Sequence, residues 1–196
     1  VETGDVLNWF EITAPEGYLL DEEEHDVVCD YEGDLVAEVS RSTTSAEQVM
    51  KQPFQMIKVS DNGEDTEAPL LEQAGFTAYL KSSLSVKEDG SFDFDSATPV
   101  VIGANGETQL FTDAKGHLVT IPIPYGTYVV IETVTPHNME TIKPFEVHIT
   151  ENNPNQPQIW RVFIDREFTA KLRVIKMDAD TGMTVLIPNT EIKIFN

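Results

Sequence analysis

A lysine, a glutamate and an aspartate each end an apolar, strand-like run. Lys58 closes Phe54-Gln55-Met56-Ile57, Glu132 closes Tyr128-Val129-Val130-Ile131, and Asp165 closes Val162-Phe163-Ile164. Strand alternation puts Phe54, Met56 and Lys58 on one face, and the same arrangement recurs in Leu172, Val174 and Lys176. Groups of this kind need one another once buried, because an isolated charge in an apolar interior is costly and neutralises instead. One outcome is a buried ion cluster, or a lysine whose stem lies on the core while its ammonium reaches the rim. The other is covalent. Burial disfavours the charged forms of amines and carboxylic acids alike, so a neutral lysine amine can stand beside an un-ionised aspartic acid, with a glutamate to move protons. An intramolecular amide between Lys58 and Asp165, with loss of water, would then close a loop of more than a hundred residues.

Other reactive side chains form no comparable set. His25, His117, His137 and His148 lack metal-ligand spacing, and no metal or other cofactor is expected. The acidic stretches 21–24, 61–65 and 89–95 fit no calcium-loop pattern and read as solvated turns. Cys29 has no accompanying nucleophile signature, and neither a Gly-x-Ser-x-Gly elbow nor a phosphate-cradling glycine loop occurs. Turnover of an external substrate is not expected.

The elements that must position Lys58, Glu132 and Asp165 are short strands. Candidates are Val27–Cys29, Leu35–Val39, Phe54–Val59, Gly75–Leu80, Val100–Ile102, Leu118–Ile123, Thr127–Glu132, Phe145–Thr150, Ile159–Asp165, Leu172–Met177 and Glu191–Phe195. Turns are expected at 61–63, 88–90, 104–106, 124–126, 152–154 and 180–182, and the one helix-like stretch is Thr44–Met50. The fold class is all-β, most simply a sandwich. With 196 residues the chain can bury a substantial core, and a net charge of -21 from 34 acidic and 13 basic side chains argues against nucleic-acid partners. No apolar run is long enough to cross a bilayer, so any export signal or anchor is expected to lie outside these residues. One cysteine permits no internal disulfide.

Two internal matches organise the chain. Phe10-Glu11-Ile12-Thr13-Ala14-Pro15 resembles Ile131-Glu132-Thr133-Val134-Thr135-Pro136, and Met56-Ile57-Lys58-Val59 resembles Val174-Ile175-Lys176-Met177. The glutamates lie 121 residues apart and the lysines 118. Tandem modules of nearly one period follow: residues 1–50 as the end of one, 51–168 as a whole one, and 169–196 as the start of a third. The 81–117 region is longer than a simple sandwich requires and carries Phe92 and Phe94, an insertion on which a binding surface can be built.

The lysine motifs Ile57-Lys58-Val59-Ser60 and Ile175-Lys176-Met177-Asp178, with Phe10-Glu11-Ile12-Thr13-Ala14-Pro15-Glu16-Gly17-Tyr18, resemble the collagen-adhesin B-type, or SpaA-like, modules of Gram-positive surface proteins and pilins. The resemblance implies Ig-like, prealbumin-like Greek-key β-sandwich modules, self-crosslinked by a lysine-to-Asn/Asp isopeptide bond beside a catalytic acid. It implies the roles of Lys58, Asp165 and Glu132, the family's acceptor lying about eleven residues before the next module's lysine, and it makes Glu11 and Lys176 the equivalents in the partial modules. It further implies an extracellular place at a Gram-positive cell wall, with partners in neighbouring modules or a host extracellular protein such as a matrix glycoprotein or an immunoglobulin. The central module departs from the pattern at Thr135-Pro136-His137-Asn138-Met139, and the first partial module has Glu47 at the acceptor position.

Overall fold

The computed structural model describes residues 4–30, 32–33, 40–61, 69–159, 161–167, 174–184 and 193. In chain order the strands are β1 (Val6–Trp9), β2 (Tyr18–Leu19), β3 (His25–Val28), β4 (Gln48–Val49), β5 (Lys51–Gln52), β6 (Gln55–Asp61), β7 (Gly75–Leu80) and β8 (Ser85–Val86). They continue as β9 (Phe92–Asp93), β10 (Gln109–Phe111), β11 (His117–Val119), β12 (Ile123–Pro124), β13 (Gly126–Val134), β14 (Phe145–Ile149) and β15 (Arg161–Arg166). Among the described residues the only helical segment is a single 3-10 turn, Lys81–Ser83.

Two sheets carry the architecture, one ordered β10-β7-β13-β14 and the other β11-β6-β15. Their inner faces meet in one core, where Phe54, Met56 and Leu118 pack against Phe76, Ala78, Tyr128, Val130, Val147 and Ile149. The pattern follows from the sequence: β13 is β-branched and aromatic through its middle, and its Tyr128, Val129 and Val130 are all buried. Neighbours run antiparallel except β15, which joins β6 in parallel, Phe163 opposite Lys58 and Asp165 opposite Ser60. A parallel pair needs a long crossover, and here it is the whole sandwich between β6 and β15. The all-β Greek-key sandwich expected from sequence is the fold observed.

Several local expectations differ. Thr44–Met50 is extended instead of helical, because Gln48 and Val49 find antiparallel partners in β2. Leu118–Ile123 is interrupted: Pro122 has no N–H to give, and the Thr120 hydroxyl takes a backbone role by accepting from the Phe54 N–H at 3.1 Å. Val100–Ile102, preceded by Pro99, makes no ladder, yet Val100 N–H donates to the Ala78 carbonyl and Ile102 is fully buried. In Leu172–Met177 the described residues form no strand; Met177 makes one isolated bridge to Thr184, and Val174 and Lys176 are exposed and line no core face. The candidate strand Leu35–Val39, Leu172, the turn beyond Asp61 and all of Glu191–Phe195 except Lys193 lie outside the described residues.

Candidate functional site

Lys58 is the fourth residue of β6, the central strand of its sheet, so its backbone is held from both sides. Its N–H donates to the Gly116 carbonyl at 2.8 Å, and its carbonyl accepts from the Leu71 N–H at 3.0 Å. Gly116 has φ +65, and a Cβ there would lie 2.3 Å from the Lys58 carbonyl oxygen, so only glycine permits this approach. Alternation then sends the side chain into the core, with Nζ 5.5 Å from the centroid of the Phe76 ring.

Glu132 reaches the same point from the opposite sheet. The β13–β7 register shifts between Glu132 and Val134, a bulge immediately after the glutamate. Its Oε2 accepts from the Ile142 N–H at 2.9 Å, while Oε1 lies 3.2 Å from Lys58 Nζ. Asp165, on β15, places Oδ1 directly against the same Nζ. All three side chains have no exposed surface. Asp165 Oδ2 is buried with no hydrogen-bond partner, so the aspartate is only half satisfied.

The segment after β13 closes the site. Glu140 N–H donates to the Arg166 carbonyl at 2.9 Å, Met139 bridges to Glu167, and Ile142 holds Glu132. These contacts seal the open end of the sandwich over Lys58 and exclude water. Burial is the largest influence on both acids and pushes the Glu132 and Asp165 carboxyls above their usual range, against the opposing pull of Lys58. An amine in contact with a carboxyl whose protonated form burial favours, with a second acid at hydrogen-bond distance, is an arrangement suited to amide formation.

The structure therefore brings Lys58, Glu132 and Asp165 together, and does not bring Glu11 or Lys176 to them. Glu11 is half-buried and accepts the Asp21 N–H at 2.7 Å, ten residues ahead, as Glu132 accepts that of Ile142. Lys176 is exposed. Within 81–117, Phe94 packs on Tyr79 at 5.2 Å and Phe92 on Phe94 at 6.2 Å, so these aromatics serve the fold. The acidic turns have a local use: Asp89, Asp93 and Asp178 accept the hydroxyls of Ser91, Ser96 and Thr181, Asp113 accepts the His117 N–H, and each also accepts the backbone N–H two residues ahead, which together hold their carboxyls below the usual range. Among the described residues no three His, Cys, Asp or Glu side chains converge as metal ligands. Gly116, Phe76 and the 139–142 cover were not identified from sequence; the glycine after Asp113-Ala114-Lys115 was the one available signal, and it marks a turn without disclosing the strand beneath it.

This is a prealbumin-like sandwich with an internal lysine and two acids. The chain belongs to the SpaA family of prealbumin-like fold domains, whose model matches residues 53–160. Among solved structures it is similar to the Bacillus anthracis TIE protein, with a TM-score of 0.52 and 23% identity over 83% of this chain and 25% of that one. It also matches GBS52, the minor pilin of Streptococcus agalactiae, with a TM-score of 0.46 and 18% identity over 87% of this chain and 64% of that one. The shaft pilin spaA of Lactobacillus rhamnosus GG aligns with a TM-score of 0.41 and 14% identity over 85% and 64% of the two chains. The chain thus spans less than two thirds of each of these proteins. No curated protein matches the sequence significantly. Among the described residues no helix is long and apolar enough to cross a membrane.

Proposed function

We propose that this chain is a stalk segment of a cell-wall-attached surface or pilin-like protein of a Gram-positive bacterium, whose sandwich crosslinks itself through an amide between Lys58 and Asp165. The observation that carries the reading is the fully buried Lys58 Nζ, in contact with Asp165 Oδ1 and 3.2 Å from Glu132 Oε1. With the proton on Asp165, the Nζ lone pair attacks its Cγ. Glu132 takes a proton from the nitrogen and returns it to the departing hydroxyl. One N–C bond forms, one C–O bond breaks, water leaves, and Glu132 ends unchanged. No external substrate is turned over and no cofactor takes part. The residues belong to tandem modules, 1–50 ending one, 51–168 forming one and 169–196 opening another, so the nearest partners are neighbouring modules of the same polypeptide.

Intact mass tests this directly. The wild-type chain is expected to be one water lighter than its sequence, with fragment ions joining peptides that contain Lys58 and Asp165; Lys58→Ala and Glu132→Gln restore the full mass. A wild-type chain at its full sequence mass overturns the crosslink.

A second reading, recognition of a host extracellular protein such as a matrix glycoprotein or an immunoglobulin, draws on the exposed Val86 and Val101 within the 81–117 insertion. Binding to such proteins that is lost in Val86→Asp supports it, and unchanged binding, or none, removes it.

A further inference from the structure

One tight turn occurs twice in the chain. Pro15-Glu16-Gly17-Tyr18 closes with the Tyr18 N–H on the Pro15 carbonyl at 3.1 Å, and Pro136-His137-Asn138-Met139, 121 residues on, closes with the Met139 N–H on the Pro136 carbonyl at 3.2 Å. The third residue of each has a left-handed backbone, with φ +85 at Gly17 and +63 at Asn138. The pairing of the fourth residue corresponds too, Tyr18 lying opposite Val49 as Met139 bridges to Glu167. Asn138 shows that this turn does not itself require glycine, because asparagine tolerates the left-handed region. Something other than backbone conformation accounts for Gly17.

The ring of Tyr125 accounts for it. Gly17 is buried, and a Cβ there would stand 2.5 Å from Tyr125 Cδ1 and 2.7 Å from Cγ, so the ring rests directly against the glycine. The Tyr125 hydroxyl donates to Glu16 Oε1 in the same turn. Tyr125 follows β12 of the sandwich, whereas the turn precedes β2, so this contact joins two parts of the chain more than a hundred residues apart.

Between these parts there is no linker. Met50 alone separates β4 from β5; its N–H donates to the Gly17 carbonyl at 2.8 Å, and its carbonyl accepts from the Tyr125 N–H at 2.8 Å. Strand β4 pairs with β2 and β5 with β12, so residues 48–52 change partner at Met50 without a gap. Lys51 is held from its other side, its N–H on Asn152 Oδ1 at 3.0 Å and its carbonyl accepting from the Asn153 N–H at 2.9 Å. Relative motion is the default where units meet through an exposed linker. Here both backbone groups of Met50 and of Lys51 are engaged.

We infer that Tyr125 seats the 15–18 turn on the end of the sandwich as a lock, so that β1–β4 and the sandwich move as one rigid body about an immobilised Met50. The surface fits a turn with glycine third, for the ring, and an acid second, for the phenol. The 136–139 turn has Asn138 and His137 at those places and would not seat the same ring. The use of the joint rests on the stalk reading, since a joint that does not hinge keeps successive units in line under tension. The lock itself does not depend on the Lys58–Asp165 bond.

Nitrogen-15 relaxation of the 196-residue chain tests this. In the wild type the amides of β1 and β3 are expected to report the same rotational correlation time as those of β13 and β14. Gly17→Asn keeps a residue that the turn accepts and drives a side chain into the ring; Tyr125→Ala leaves the turn untouched and removes the ring. In each variant the correlation time of β1 and β3 should fall about twofold below that of the sandwich, whose chemical shifts stay in place away from the joint. A wild type whose two parts already tumble separately overturns the inference, as does a Tyr125→Ala chain that still tumbles as one body. Should Gly17→Asn unfold β1–β3, Tyr125→Ala decides alone. Intact mass of the same samples reads the Lys58–Asp165 crosslink independently, so failure of one reading is distinguishable from failure of the other.

Discussion

If Lys58 and Asp165 are joined, the un-crosslinked sandwich must be measurably less stable, and the structure sets the scale. The two residues are 107 apart in sequence, so the bond removes from the unfolded chain the freedom of a loop of that length. The chain-entropy model for crosslinks gives about 5 kcal/mol for a loop near this size. A domain of this length loses about 4 °C of Tm per kcal/mol, so abolishing the bond is expected to lower Tm by about 20 °C. Glu132→Gln is the perturbation of choice: it keeps Lys58, Asp165 and the packing, retains an acceptor for the Ile142 N–H, and removes only the group that moves the proton. Calorimetry of wild type and variant, each after intact-mass analysis, provides the comparison. Two results refute the reasoning: a variant that still loses water, which removes Glu132 from the chemistry, or a variant of full mass that melts within a few degrees of wild type, which removes the crosslink as a source of stability.

Three further outcomes follow from the same contacts. Lys58→Met leaves Glu132 and Asp165 buried without their cation; since burial already raises both, each holds its proton more tightly when folded than unfolded, so stability is full below the ordinary carboxylate range and is lost as pH rises through the raised values. Melting curves of this variant from pH 4 to pH 8 should therefore fall steadily, while those of the crosslinked wild type stay nearly flat. Gly116→Ala forces a Cβ to 2.3 Å from the Lys58 carbonyl at a φ of +65 and should cost about 2 kcal/mol or more in denaturant titrations, by displacing the strand that carries the lysine. Tyr128, whose hydroxyl donates to the Pro124 carbonyl at 2.7 Å, is pushed by burial up to about 12, and Tyr79 and Tyr125 are raised as well, so alkaline absorbance titration should find late-ionising tyrosines among the five, and Tyr128→Phe should remove one tyrosine from that late phase.

What the sequence discloses about this site is set by periodicity. A two-residue alternation that ends in an ionisable group names Lys58 as inward-facing without any structure, and the same logic applies to Glu132 at the end of β13. What it does not disclose is set by contacts with no periodic signature. The Ile142 N–H that fixes Glu132 comes from a loop, and the carbonyl that anchors Lys58 belongs to Gly116, conspicuous only as a turn residue. The two-residue strands β4 and β5 are too short to show alternation, and β4 is extended only because Tyr18 and Leu19 lie beside it, contrary to the local helical tendency of Thr44–Met50. Repeats succeed where propensity fails: the similarity of Glu11 to Glu132 is legible as sequence, and both carboxylates make the same hydrogen bond ten residues ahead.

The position of the proposed bond has a mechanical logic. β6 opens the sandwich and β15 ends it, and the two are adjacent and parallel. A pull on the chain before Gln55 and after Arg166 loads the two strands in shear, and without a crosslink the resistance is the row of backbone hydrogen bonds from Met56–Arg161 to Asp61–Arg166. A Lys58–Asp165 amide carries that load through four residues of β6 and into the end of β15, and the hundred residues between bear almost none. The same bond across the β13–β14 hairpin would leave the first and last strands free to part. Burying a lysine with two acids disfavours folding until the charges are removed, so this site makes physical sense only where the pair reacts or where its geometry is needed for another reason. Tying the two strands through which tension enters and leaves the domain would be such a reason, and the proposed bond would then account for Lys58 standing on β6 and Asp165 on β15, with Glu132 reaching them from β13.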